Sequence, residues 1–180
     1  MFKKLNILDE KEKILRETAK EVIFPLTKED KKLIQNSIDQ LTYSQIEEYE
    51  KKYDLRPGMG LAFPQLGLSK RIIIIVHEDG KFDNYVVINP KIVSNSEEII
   101  AAEAGEGCLS VNRDVEGHVP RFARVTVEGY DENGNKIRIR AREELSIAFQ
   151  HEIDHLNGIL FFDRINKKKP FYSENEIRLI

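Results

Sequence analysis

Any fold of this chain has to accommodate a helix that has almost no polar face. From about Glu143 to Leu156, Leu145, Phe149, Ile153 and Leu156 fall on one apolar stripe. Ile147, His151 and His155 fall on a second stripe, with Ala148 and Glu152 beside it, and Asn157-Gly158 supplies the stop. A helix patterned in this way has to be surrounded by other elements.

The rest of the chain supplies strands to do so. Arg71 to Val76 contains four consecutive isoleucines, which predicts a strand buried on both faces. Tyr85 to Ile88 is a second strand, stopped by Asn89-Pro90, and Lys91-Ile92-Val93 continues it beyond a bend. Arg124 to Tyr130 and Lys136 to Arg140 alternate apolar with polar residues around Asp131-Glu132-Asn133-Gly134-Asn135, which predicts a hairpin. The first fifty residues read as helical and polar, with Thr27 as a cap, acids behind it, and Leu33, Ile34, Ile38, Leu41 and Ile46 at helical spacing. Glu47 to Asp54 reads as a solvated helix end or loop, stopped by Arg56-Pro57-Gly58. The predicted fold is α+β, with mostly antiparallel sheets wrapped around a central helix, in a single domain over residues 1–180.

Composition excludes several classes of function. The net charge of −3 gives no global signal for nucleic acid, and the longest apolar run, Ile72 to Val76, is too short to span a bilayer. The first nine residues are too charged for a secretory signal. The single cysteine, Cys108, excludes an internal disulfide and fits a reducing, cytoplasmic setting. Lys167-Lys168-Lys169-Pro170 reads as a solvated loop.

The chemistry lies in Gln150-His151-Glu152-Ile153-Asp154-His155. Two histidines four apart project from one helix face and can reach one metal ion, with Glu152 as an acid/base beside them. A catalytic site of this kind needs a third ligand and an open position. A downstream carboxylate, Glu174 or Glu176, would make a metalloendopeptidase. The rival is Cys108, in Ala104-Gly105-Glu106-Gly107-Cys108-Leu109-Ser110-Val111. A Cys-His-His set admits zinc, iron(II), cobalt or nickel and excludes calcium and magnesium. His77 and His118 read as non-ligands. A further element, Gly58-Met59-Gly60-Leu61-Ala62-Phe63-Pro64-Gln65, has two glycines that allow close backbone approach. Its Gln65 amide suits an oxyanion, although an ordinary Gly-Pro turn explains the loop equally well.

Taken together and in order, Gly58 to Gln65, Glu106 to Ser110 and Gln150 to Leu156 resemble the motifs of the peptide deformylases. Cys108 to Arg113 followed by Gly117 to Arg121 looks like the longer, Gram-positive-type subclass. The resemblance implies that one divalent metal ion is held by Cys108, His151 and His155. This would be iron(II) in the cell, with zinc, nickel or cobalt possible in purified protein. It implies Glu152 as the acid/base, with the Gln65 side chain and the Leu109 N–H stabilising the oxyanion. Met59, Gly60, Ile147 and Ala148 would receive the substrate, and Glu106, Gln150 and Asp154 would orient the ligands. The implied substrate is a nascent chain beginning with N-formylmethionine, and the products are formate and a free N-terminus. No nucleic-acid or membrane role is implied. Association with the ribosome exit region is a further expectation, which no basic tail here supports. Phe63 departs from the motif, which has alanine at that position, and raises the question of altered substrate preference or rate. A non-catalytic relative is the remaining alternative, and the intact Glu152 and Gln65 argue against it.

Overall fold

The computed structural model of the protein describes residues 2–77 and 84–180. Four consecutive isoleucines set its layering. Strand β2, Ile72–Ile75, is fully buried along its length. Ile73 and Ile75 face one core, and Ile72 and Ile74 face another. Alternation sends successive side chains to opposite faces, so an all-isoleucine strand needs apolar cover on both.

That strand lies inside a five-stranded antiparallel sheet ordered β1-β2-β3-β6-β7. The others are β1 (Gly60–Ala62), β3 (Tyr85–Asn95), β6 (Arg124–Tyr130) and β7 (Lys136–Arg142). The hairpin predicted around Asn133-Gly134 is β6–β7, in register from Tyr130↔Lys136 to Arg124↔Arg142. β3 continues past Asn89-Pro90 with a register shift between Ile88 and Lys91, as the expected bend requires, and Asn89 takes a φ of 51°. A second sheet, β5-β4-β8, joins β5 (Arg121–Phe122) antiparallel to β4 (Ile99–Ala101) and β8 (Arg178–Leu179) parallel to it.

Helix α3, Glu143–Leu156, packs on β1, β2, β6 and β7 of the large sheet and on β5 of the small one. Its stripe of Leu145, Phe149, Ile153 and Leu156 forms the first core with Ile73, Ile75, Val87 and Val127. Helix α1, Lys28–Ser44, covers the opposite face of the sheet with Ile34 and Leu41. Thr27 caps α1, its hydroxyl accepting from Asp30 N–H. The fold is therefore α+β, mostly antiparallel, with α3 between the sheets.

Two expectations need correction. Residues before Thr27 are not helical beyond a 3-10 turn at Lys13–Arg16. Residues 2–26 are otherwise irregular, bury Leu15, Ala19 and Leu26, and are fixed by backbone bonds to other elements, such as Leu8 N–H to Gln65 C=O (2.8 Å) and Ala19 N–H to Leu156 C=O (2.9 Å). Glu47–Tyr53 forms a short helix of its own, α2, ended by Asp54 in a left-handed conformation (φ 50°).

Phe63 takes no part in the concave side of its motif. The 3-10 turn Phe63–Leu66 directs its ring into the second core beside Leu61, Ile72 and Ile74, where it is fully buried. Phe63→Ala is expected to lower stability by about 3–5 kcal/mol, as large-to-small core changes do. It should leave turnover of the folded protein near wild type. Urea unfolding midpoints together with kcat measured well below the transition would check both parts.

Candidate metal centre

Helix α3 is the scaffold of the site. It carries three groups that a protein interior rejects unless they are engaged: Glu152, Asp154 and His155 are all buried. Its N-terminal neighbour in the site is the turn after β4. There, Gly105 in a left-handed conformation (φ 79°) bends the chain and brings Cys108 over the helix.

The arrangement brings Cys108 Sγ to 3.3 Å from His155 Nε2. One donor atom from each of Cys108, His151 and His155 lies within 4.8 Å of the others, and no other such group occurs among the described residues. His151 Nδ1–H donates to Glu106 Oε2 (2.8 Å). That contact fixes the ring orientation and leaves Nε2 as the atom available to a metal. Ser110 N–H (3.4 Å) and Gln65 Nε2 (3.7 Å) both aim donors at the Cys108 sulfur.

The fit to a divalent ion follows from the donor set, one sulfur and two imidazole nitrogens within 4.8 Å of one another. Burial opposes charge on His151, yet Cys108, Glu106 and Glu152 around it hold its pKa well above the ordinary value. These neighbours favour positive charge at this point, which a metal bound at soft sulfur and imidazole nitrogen would supply in place of the His151 proton. Burial pushes His155 well below the ordinary imidazole value, so its ring is neutral, as a ligand must be.

Glu152 lies against β1. A Cβ built on Gly60 would stand 2.2 Å from Glu152 Oε1, so the second glycine of the loop makes room for the carboxylate. Glu152 Oε2 and His155 Nδ1 are buried with no hydrogen-bond partner among the described residues. Burial pushes the Glu152 carboxyl up to about 7, the range in which a group can both take and give a proton near neutrality. Gln65 is held by accepting from Ala62 N–H (2.8 Å) and donating to Ser110 Oγ (3.1 Å).

Gln65, Cys108, Leu109, His151 and Glu152 line one cavity of about 860 Å³, together with Met59, Gly60, Glu106, Ile147 and Ala148. Gln150 and Asp154 lie outside its wall. The Gln150 side chain bonds to Phe122 and Ser146, tying α3 to β5.

The carboxylate rivals are accounted for elsewhere. Glu176 pairs with Lys169 and accepts from Ser173 N–H, and Glu174 is exposed. His118 Nδ1 accepts from Tyr172 N–H (3.0 Å), and His77 lies 3.8 Å from Glu144.

Sequence reasoning missed two residues. Arg121, fully buried, donates to Glu106 from Nε (2.8 Å) and Nη2 (2.9 Å) and to Asp154 from Nη1 (2.6 Å). Asp154 also accepts from Arg164. Burial raises the Glu106 carboxyl, but the bonds from Arg121 and His151 outweigh it and hold it at about 2. The available signal was a mismatch of charge, because three acids predicted near one metal site require a buried cation. The second is Arg56, read only as part of a helix stop. It bonds to the carbonyls of Cys108 (3.2 Å) and Val111 (3.2 Å) and to Asn112 Oδ1 (2.7 Å), clamping the cysteine turn.

Comparison with known proteins agrees with this geometry. Residues 4–171 match the sequence model of the family described as polypeptide deformylase. Peptide deformylase 2 of Bacillus anthracis is 45% identical over 168 residues, covering 92% of this chain and 91% of that one. The crystal structure of peptide deformylase from Thermus thermophilus superposes with a TM-score of 0.76 at 33% identity, over 91% of this chain and 87% of that one. A class I type b peptide deformylase from Acinetobacter baumannii with Met-Ala-Ser bound gives 0.73 at 30% identity, over 92% of this chain and all of that one. With matches that span nearly its whole length, the chain belongs to the polypeptide deformylase family.

Proposed function

We propose that this chain, acting as one catalytic domain in the cytoplasm, hydrolyses the N-formyl group from the formylmethionine that begins newly made polypeptides. The products are formate and a free N-terminus. The observation that carries this reading is a cavity wall that brings together Cys108, His151, the buried Glu152 carboxyl and the Gln65 amide, with His155 completing the donor set behind Cys108.

Cys108, His151 and His155 hold the metal, and iron(II) is the ion we assign in the cell. When bound, such an ion supplies Lewis acidity, polarising the formyl carbonyl and acidifying a water ligand. Glu152 takes a proton from the attacking water and returns it to the leaving amine. The Gln65 side chain and the Leu109 N–H donate to the oxyanion as it forms. Each such donor contributes roughly 2.7–4 kcal/mol to lowering the barrier. The peptide lies along Met59 and Gly60 like an added strand. Its methionine side chain enters the apolar part of the cavity formed with Ile147 and Ala148. Glu106 orients His151 directly, and Asp154 acts on the same network through Arg121. Because the substrate is a nascent chain, the ribosome exit region is where the enzyme would meet it. No helix among the described residues is long and apolar enough to cross a membrane.

The test is formate release from formyl-Met-Ala-Ser by protein prepared anaerobically with iron(II). Chelation is expected to abolish turnover and re-addition of iron(II) to restore it. Zinc or nickel should restore binding, each with its own rate. Undiminished activity in metal-free protein would sink the assignment.

A further inference from the structure

The wall of the catalytic cavity also includes Arg140 and Arg142 at the end of β7, Glu143 and Glu144 at the start of α3, and Ile180. The charges on this wall are unequally answered. Glu106 is engaged by Arg121 and His151, Glu143 by Arg178 Nη1 (3.1 Å), and Glu144 faces His77 (3.8 Å). Glu152 is buried deeper in the site. Among the cations, Arg56 is committed to the cysteine turn. Arg140 and Arg142 are exposed and have no acidic partner among the described residues.

The strand pattern sharpens the contrast. Alternation along β7 puts Lys136, Arg138, Arg140 and Arg142 on its exposed face. Charge on an edge strand deters pairing with other chains, and that explains Lys136 and Arg138. Arg138 is also answered by Glu128 across the ladder (3.4 Å). Arg142 instead stands opposite Arg124, and like charges facing each other destabilise a sheet. Arg124 is taken up by Glu98 (2.8 Å), which leaves Arg142 unanswered. Arg140 and Arg142 also border a second, smaller groove of about 370 Å³, lined by Ser94, Asn95, Ser96 and Thr126. The two arginines therefore line both the catalytic cavity and this second groove, whose wall also includes Arg124, Val125 and Ala141.

A peptide whose first residue sits at the metal places its following residues within reach of this wall, where Arg140 and Arg142 are the cations without an acidic partner among the described residues. We propose that Arg140 and Arg142 are specificity-determining residues that favour formylated chains with an acidic side chain shortly after the methionine and disfavour those with a basic one. This inference rests on the deformylase reading. The two guanidinium groups, carried on the paired strand β7, offer forked donors that match a carboxylate. Exposed pairs of this kind are worth about two- to fivefold each, and salt screens them.

The experiment measures kcat/KM for formate release from formyl-Met-Ala-Ser, from formyl-Met-Asp-Ser and formyl-Met-Ala-Asp, and from the two lysine counterparts. At low salt, wild type should prefer aspartate over lysine by about fivefold or more at one of the two positions. In about 1 M salt, where the Debye length is about 3 Å, the ratio should collapse. The R140Q/R142Q double variant should bring it near one at low salt. R138Q, which alters the same face outside both cavities, should leave it as in wild type. A wild-type ratio near or below one at both positions overturns the proposal, as does a preference that survives the double substitution. Failure of wild type to turn over formyl-Met-Ala-Ser would overturn the deformylase reading itself, and with it the basis for this inference.

Discussion

Glu152→Gln is expected to lower kcat for formate release by about 10²–10⁴, the usual contribution of a positioned acid/base. KM and metal content should change little. The carboxyl is buried, has no hydrogen-bond partner at Oε2 among the described residues, and is pushed up to about 7 by its surroundings. A carboxylate in that position is held at a cost to the fold. Glutamine fills nearly the same volume without a charge, so the melting temperature of the variant should hold or rise while its rate collapses. This opposite movement of rate and stability separates a catalytic role from a structural one. Gly60→Ala provides a second arm with the charge left in place. The new Cβ would lie 2.2 Å from Oε1 and 2.7 Å from Cδ, so the carboxyl has to move. A comparable fall in kcat would show that the position of Glu152 matters as much as its ionisation. Retention of more than a tenth of the wild-type rate in Glu152→Gln would remove the residue from the mechanism.

The sequence was readable where the determinants are local. The helix that carries the site is defined by apolar residues three and four apart and ends at Asn157-Gly158, and the structure gives Glu143–Leu156. The α1 cap at Thr27 and the two-sided burial of Ile72–Ile75 follow from equally short-range patterns. His151 and His155 share a face because helical geometry fixes it. Residues 2–26 carry no local signal because their conformation is set elsewhere. Their backbone groups bond to Gln65, Ser110 and Leu156, and an irregular segment docked in this way has no period of its own. Phe63 shows the same limit. It adjoins Gln65 in a loop that faces the cavity, but the turn after β1 sends its ring to the opposite core. Arg56 was out of reach because its acceptors are mostly main-chain carbonyls, which exist at every position in a sequence.

Loss of Arg121 should cost the fold heavily and reach the metal site as well. Its guanidinium is enclosed on all sides and joins two carboxylates from different elements, Glu106 on the cysteine turn and Asp154 on α3. Arg121→Met keeps much of the apolar stem but leaves Glu106 with His151 alone and Asp154 with Arg164 alone. Removing one partner of a buried ion pair typically costs about 3–5 kcal/mol, because the remaining charge stays buried without compensation. A loss of that size in ΔG of unfolding by urea is the expected result. The effect should reach the site as well, because Glu106 sets the His151 ring and a displaced ring weakens the donor set. Changes to groups that orient metal ligands typically lower affinity 10- to 100-fold, so metal retention against a competing chelator should fall by a similar factor. Arg121→Lys separates charge from geometry. It restores a cation but lacks the planar fork that grips Glu106 through Nε and Nη2 while reaching Asp154 through Nη1. It should recover part of the stability and less of the metal retention. Equal recovery of both would mean that the network needs only a positive charge. A wild-type unfolding free energy in Arg121→Met would mean that the two acids find other partners without it.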